Sequence, residues 1–435
     1  MISCVLAILI CITVLAGCSG NQQQPSQAPS GQPSQAPSQA PSGQPSQQPP
    51  AGSNKEKIKL GFIASLTGSP ASSGMEMRDG FLLYLEERNY ILGGHEIEVF
   101  VEDDTADPST AVQKATKLVE QDEVSMLIGP VLAPAAYAIS GYSTPNEIPF
   151  MLPVPSGDAM TQHDFSDYVM RVGYTSSQVM FPLADYAYNV LGYRRVAAFA
   201  LDNAFGHESI GGFQYEFERL GGVLTTKIWQ PMNATDISPL ISQIPLDVDA
   251  VVITQAGANA INFYQAYSEF GIPLPVIGSG SSTDESTLAA TGDACIGSIT
   301  ALHYSAAIDT PENKAFLEAF TGFYGRSPSY FADTGYAAAT VLDKIFDLMD
   351  EGFDTGLLLS EFKKFKGTFP RGYVEIDDFN HPIQNVYIRK VEKVNGALQN
   401  TIIKTYENVS QFWTYGAAAV LARPVFTKDY PPLKG

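Results

Sequence analysis

From Lys57 onward, short apolar stretches and amphipathic ones take turns along the chain, and this alternation restricts the fold more than any other feature. KIKLGFIASL reads as a buried strand, and Gly74 to Asn89 as a helix with Met77, Phe81, Leu82 and Leu85 on one face. HEIEVFVED is a second strand, and PSTAVQKATKLVEQD a helix with Pro108 near its start. VSMLIGP is a third strand, followed by a helix from about Pro134, and PFMLPVP a fourth. The pattern then restarts with a helix from Gln178 to Leu191, the strand RRVAAFAL and the helix GHESIGGFQYEFERLG. LTTKIWQP, DAVVITQA and PVIGSG are further strands, separated by the helices DISPLISQIP and ANAINFYQAYSEFG. Apolar strands separated by helices belong to parallel sheets covered on both faces. Two successive sets predict an α/β protein with two doubly wound lobes, in keeping with a length beyond that of one ordinary core.

In such sheets ligands sit beyond the carboxyl ends of the strands. The loops expected there are SLTGSPASSG, GPVLAPAA, PVPSGD, LDNAFG, TQAGANA and GSGSSTD. They are rich in Ser, Thr, Gly and aromatics and poor in catalytic side chains. That composition suits reversible capture of a small molecule by backbone N–H groups and hydroxyls.

The N-terminal end has a different character. An apolar run from Ile2 to Ala16 has the length of a signal-peptide core, and it ends in Leu15-Ala16-Gly17-Cys18. This tetrapeptide resembles the lipobox of bacterial lipoproteins, which implies a signal peptide over 1–18, lipidation of Cys18 and an extracytoplasmic, membrane-anchored protein. Positions 19–54 are near-repeats of QPSQAPSG without a charge or an aromatic ring, a composition that cannot bury a core. They read as a disordered tether. Of the four cysteines, Cys4 and Cys11 fall within the signal peptide and Cys18 would carry lipid, so only Cys295 remains in the fold. No disulfide framework or cysteine-based zinc site is available, and Cys295 reads as a small core residue.

The first charge is Lys55, so the formal charge of −20 falls on positions 55–435. That acidity argues against nucleic acid and against anionic membrane surfaces as partners. After Cys18 no apolar run approaches the length of a membrane span.

At its strand-end loops the chain resembles the leucine/isoleucine/valine-binding family of ABC-importer substrate-binding proteins, with the type I periplasmic-binding fold. The resemblance begins near Lys57 and is carried, in order, by GFIASLTGSPASSGMEMRDGFLLYL, EDDTADPSTAVQKATKLVE, LIGP, MRVGYTSSQ, LDNAFGHE, GDACIGSI and RSPSYFADTGYAAATVL. NVSQFWTY through RPVFTKDYPP resembles a subgroup often associated with aromatic-compound uptake. The resemblance implies two Rossmann-like lobes joined by three hinge crossovers, near Arg171–Thr175, Leu302–Ser305 and Val374–Pro382. The first lobe would be 57–172 plus 304–377, the second 175–302 plus 383–413, and 414–435 a surface tail. It implies no enzyme activity and no cofactor or metal. The partners it implies are a small amino acid or aromatic carboxylate and a membrane permease.

Carried over residue by residue, the family's aromatic wall in the first loop falls at Ser73, beside Gly74, so this chain lacks it. The donor loop of the first lobe falls at Leu132 and Ala133. Val154, Pro155 and Ser156 match the stretch that holds a ligand carboxylate, with Ser156 supplying the hydroxyl. Phe205 matches the aromatic of the second lobe that covers the ligand, and Gln255 and Ala256 match the next contact loop. Gly280 falls where amino-acid binders place an acid for the ligand's ammonium. A buried ammonium needs a counter-charge, which Asp284, Glu285, Asp202 or Asp333 could supply. Without one, an aromatic or other organic carboxylate is the better expectation.

Other chemistry is weaker. The histidines His95, His163, His207, His303 and His381 show no metal-ligand spacing and read as surface or core-edge residues. Glu102, Asp103, Asp104 and Asp107 read as a strand-end turn rather than a calcium loop. GSGSS at 278–282 fits neither G-x-S-x-G nor G-x-G-x-x-G and reads as a flexible ligand loop or, equally, as plain turn chemistry. Phe263, Tyr264 and Tyr267 read as packing, and Arg371, which could reach a carboxylate from the hinge, reads rather as a solvated loop residue. An extracellular hydrolase would need a nucleophile–base pair on these loops, and none is visible. A ligand sensor for a membrane receptor shares the fold and differs in partner.

Overall fold

A computed structural model describes residues 55–433. The expected signal peptide, Cys18 and the whole of the expected tether, positions 1–54, therefore lie outside the described residues. Among the described residues no helix is long and apolar enough to cross a membrane.

Two sheets organise the fold. The first runs in the order β2 (Ile91–Leu92), β3 (His95–Asp103), β1 (Ile58–Ala64), β4 (Met126–Ile128), β5 (Phe150–Leu152) and β6 (Val169–Arg171). Apart from the β2–β3 hairpin its pairings are parallel. In β1, Ile58, Leu60 and Phe62 feed one core and Ile63 the opposite one, which is why the strand is apolar but for Lys59, whose ammonium donates to Asp122 O at 3.0 Å. The second sheet holds β7 (Arg195–Leu201), β8 (Val223–Gln230), β9 (Ala250–Thr254), β10 (Val276–Ser279) and β11 (Ile299–Leu302) in parallel. To these it adds the antiparallel strands β12 (Lys366–Phe369), β13 (Gly372–Ile376), β14 (Pro382–Val394) and β15 (Ala397–Val409).

The molecule is thus the expected two-lobed α/β fold, with a second sheet that is mixed rather than wholly parallel. The pattern reading does not include the three-residue β6 or the strands β2 and β12–β15, and DISPLISQIP forms only one helical turn, Ser238–Ile241. Phe263, Tyr264, Tyr267 and Cys295 are packed in the core of the second lobe, as expected.

The chain passes between lobes at a buried polar knot. The Gln178 amide donates to the carbonyls of Pro382 and Val409, both at 2.9 Å, and the Gln384 amide to that of Gly173 at 2.7 Å. Arg371, expected in solvent, is buried here: its Nη1 lies 2.7 Å from Asp333 Oδ2 and its Nε donates to Gln384 at 2.9 Å. Its long stem and planar fork let it join three segments that no shorter side chain would reach. The histidines also differ from expectation. His95, His303 and His381 are fully buried, held by packing and by backbone partners such as Glu56 O, 2.8 Å from His95 Nδ1.

The C-terminal segment is docked on the second lobe. Tyr415 and Phe426 pack edge-on against Phe181, and Val420 and Tyr430 are buried. Phe426 fits because Gly211 presents no side chain, since a Cβ there would lie 2.5 Å from its ring.

Candidate functional site

Between the lobes lies a partly open cavity. Every part of its wall sits at the carboxyl end of a strand or the start of a helix. Ser73, Leu132, Ala133, Val154 and Ser156 come from the first lobe, and Phe205 and Ala256 from the second, so seven of the residues singled out in the sequence share one cavity. Four do not reach it. Gly74 packs against the end of β1, where a Cβ would fall 1.9 Å from Ser65 O. Pro155 turns its carbonyl to the Arg171 guanidinium. Gln255 is buried behind the wall, its carbonyl accepting from Ser281 Oγ at 2.8 Å.

Gly280 is occupied from behind. Its carbonyl accepts from Arg389 Nη2 at 2.8 Å, and a Cβ there would lie 2.4 Å from that nitrogen. GSGSS is accordingly no flexible loop but the end of β10 and a buried 3-10 turn, Gly280–Thr283.

The aromatic wall missing at Ser73 is supplied elsewhere. Tyr174, Tyr330 and Phe331 line the cavity opposite Phe205. Tyr174 and Tyr330 meet edge to face at 6.0 Å, and burial pushes the Tyr174 hydroxyl up to about 12. Sequence reasoning missed these three, although Ser329 is a readable helix cap: its hydroxyl accepts from Phe331 N at 3.2 Å and so starts the helix Tyr330–Phe346 at the cavity. Asn203, Met232 and Asn259 were also missed.

Among the described residues no charged side chain lines the cavity. Each acid considered as a counter-charge is engaged elsewhere. Asp333 pairs with Arg371, and Asp202 with Lys428 at 2.6 Å and His207 at 2.8 Å. Asp284 caps its own helix through Ser286 N at 3.1 Å, and burial, with Glu285 alongside, pushes its carboxyl up to about 8. Glu285 accepts from Asn400 Nδ2 at 3.0 Å.

Positive potential comes from the backbone instead. The helices Ala133–Ser143 and Gly257–Glu269, one on each lobe, begin at the cavity with Leu132 and Ala256 at their N-caps and no side chain capping them. Their free first-turn N–H groups therefore remain as donors, except at Pro134, which has none. The Val154–Gly157 loop is held by Arg171, which donates to Tyr174 O at 3.1 Å and Gly157 O at 2.6 Å. Burial lowers that guanidinium to about 10. Ser156 is itself buried, its Oγ 2.9 Å from Ser176 Oγ.

The lobes also touch directly beside the cavity. The Tyr137 hydroxyl donates to Glu208 Oε1 at 2.8 Å, and Asp158 N donates to Glu208 Oε2 at 2.8 Å. Tyr137 and Asp158 belong to the first sheet's connections, and Glu208 to the helix Ala204–Leu220 after β7. Among the described residues no three His, Cys, Asp or Glu side chains are grouped to hold a metal ion.

Known proteins share this architecture. A solute-binding protein of an ABC transporter from Rhodopseudomonas palustris BisB5, solved with 3,4-dihydroxybenzoic acid, is 29% identical with a TM-score of 0.78, covering 82% of this chain and 98% of its own. A second R. palustris solute-binding protein, solved with 4-hydroxybenzoate, is 26% identical with a TM-score of 0.78 and the same two coverages, 82% and 98%. Leu/Ile/Val-binding protein homolog 6 of Brucella melitensis is 27% identical over 361 residues, which is 80% of this chain and 92% of that protein. Residues 57–397 match the periplasmic binding protein family, to which this chain belongs.

Proposed function

We propose that this protein is the substrate-binding lipoprotein of an ABC importer, anchored through Cys18 outside the cytoplasm, that captures a small carboxylate-bearing solute and delivers it to a membrane permease. The carrying observation is the wall of the cavity. It offers two uncapped helix starts, the Ser156 hydroxyl and four aromatic rings, and not one acid. Neutral donors backed by helix dipoles favour an anion. An α-amino acid would bring an ammonium with no counter-charge, at a high desolvation cost. An aromatic acid satisfies both the donors and the rings, and aromatic acids are what the two Rhodopseudomonas relatives were solved with.

In this reading two lobes close on the ligand like a hinged clamp, 57–172 plus 304–365 about the first sheet and 175–302 plus 383–413 about the second, with 366–376, assigned from sequence to the first lobe, paired into the second sheet. A thermal-shift screen of benzoates against branched-chain amino acids tests it, because a ligand that binds only the folded state raises the melting temperature. Benzoates should shift it and leucine should not; the reverse order overturns the aromatic-acid reading.

A further inference from the structure

The second lobe's share of the cavity wall has an uneven hydrogen-bond ledger. Its side-chain oxygens are already engaged. Asn203 Oδ1 caps the helix Ala204–Leu220 by accepting from Gly206 N at 3.0 Å. Asn259 Oδ1 accepts from Gln230 Nε2 at 2.8 Å, and Ser281 Oγ donates to Gln255 O at 2.8 Å while lying 3.1 Å from Ser279 Oγ. What remains are donors: the uncapped start of the helix Gly257–Glu269 and the Asn203 amide. Asn203 Nδ2 rests 3.1 Å from the Met232 thioether, and both residues line the cavity. A thioether is a weak acceptor, so an oxygen brought by a ligand would displace it with a net gain.

We infer that Asn203 is a specificity-determining residue: the second lobe reads an oxygen acceptor on the ligand at the end away from its carboxylate. The preferred solute is then a ring acid carrying a hydroxyl, ether or second carboxylate there, in preference to an unsubstituted or alkyl-substituted one. This rests on the aromatic-acid reading above. Cap and donor are separable, because Asn203→Ser keeps a capping oxygen while removing the amide N–H.

The test is calorimetry of 4-methoxybenzoate and 4-ethylbenzoate, two probes of nearly equal size of which only the first carries an acceptor. One neutral hydrogen bond is worth roughly 3- to 10-fold in affinity. The methoxy-to-ethyl affinity ratio should fall by that factor in Asn203→Ser. Met232→Leu, which frees the amide from its thioether, should raise the ratio. If both probes bind and neither variant moves the ratio, Asn203 reads nothing and the inference fails while the aromatic-acid reading stands. If neither probe binds the unaltered protein, the reading itself fails and takes the inference with it. Should Asn203→Ser not fold, a ratio unchanged or lowered in Met232→Leu is sufficient to overturn the inference.

Discussion

Removing the Tyr137 hydroxyl should weaken ligand binding far more than it weakens the fold. In this structure that hydroxyl donates to Glu208 across the lobes and accepts from Ala159 N at 3.1 Å. Tyr137→Phe leaves Glu208 Oε1 and the Ala159 N–H without this partner in a place where water is scarce, since Glu208 is only 6% exposed. A buried polar group left unpaired costs ~1–3 kcal/mol. When the lobes separate, water takes over Glu208, so that share of the cost falls on closure alone, whereas Ala159 lies in the same lobe as Tyr137 and its share is common to both forms. About 2 kcal/mol on closure is roughly a 30-fold loss of affinity. Calorimetry with a benzoate identified by thermal shift gives the affinity, and solution scattering gives the closed fraction. The melting temperature without ligand should move little. A dissociation constant within about twofold of the original would refute the assignment of this contact as a closing clasp.

The same clasp sets a pH dependence. Burial, with Asp158 alongside, pushes the Glu208 carboxyl well above its usual range, and burial pushes Asp158 up to about 6. In separated lobes both would titrate near 4. The closed form therefore holds more protons, so closure is favoured most below about pH 4 and loses that advantage as the pH rises through 6 and beyond. Glu208→Gln, which mimics the protonated acid, should flatten the affinity–pH curve, and an unchanged slope would exclude Glu208 as its source.

Other outcomes follow from single contacts. Ser156→Ala should cost ~1–3 kcal/mol of binding energy to a carboxylate ligand by calorimetry. Phe205→Ala should cost more for a ring-bearing ligand, through lost area and stacking; indifference to it, with tight leucine binding, would return the search to amino acids. Asp333→Ala strands the buried Arg371 charge and should remove ~3–5 kcal/mol of stability in urea unfolding, while pairing it with Arg371→Met should restore part of the loss. Cys18→Ser should release the protein from the membrane fraction, and an unmodified Cys18 found by mass spectrometry in membrane-extracted protein would count against the anchor.

The parts of the fold visible in the sequence were those governed by local periodicity. β1, β3, β7 and β9 are long or wholly apolar, and their boundaries lie within a few residues of the pattern. β6 is three residues whose only signature is its place between β5 and the hinge, which no local pattern encodes. The β14–β15 hairpin did carry a signal: Asn395 and Gly396, at φ 51° and 85°, form the tight turn that favours this dipeptide between strands.

The site divides the same way. Loops that follow a strand in sequence were legible, and seven of their residues meet in the cavity. Tyr330 and Phe331 reach it from a helix that returns to the first lobe after the five parallel strands of the second sheet. Arg371 was misjudged because its carboxylate, Asp333, lies 38 positions earlier and becomes its partner only through that return.

That return has a kinetic consequence. The helix Ala71–Glu86 packs against Tyr330–Phe346, and Tyr84 reaches Asp343 at 2.8 Å across 259 positions of sequence. A chain emerging from its N-terminus must keep the apolar stripe of its first helix uncovered until nearly the whole polypeptide is available. Contacts of such long range close slowly, because loop entropy is lost before they repay it. Met77, Phe81 and Tyr84 would meanwhile be exposed in a half-made lobe prone to self-association. Refolding should therefore be concentration-sensitive, and a truncation ending before residue 330 should yield aggregate rather than an isolated second lobe.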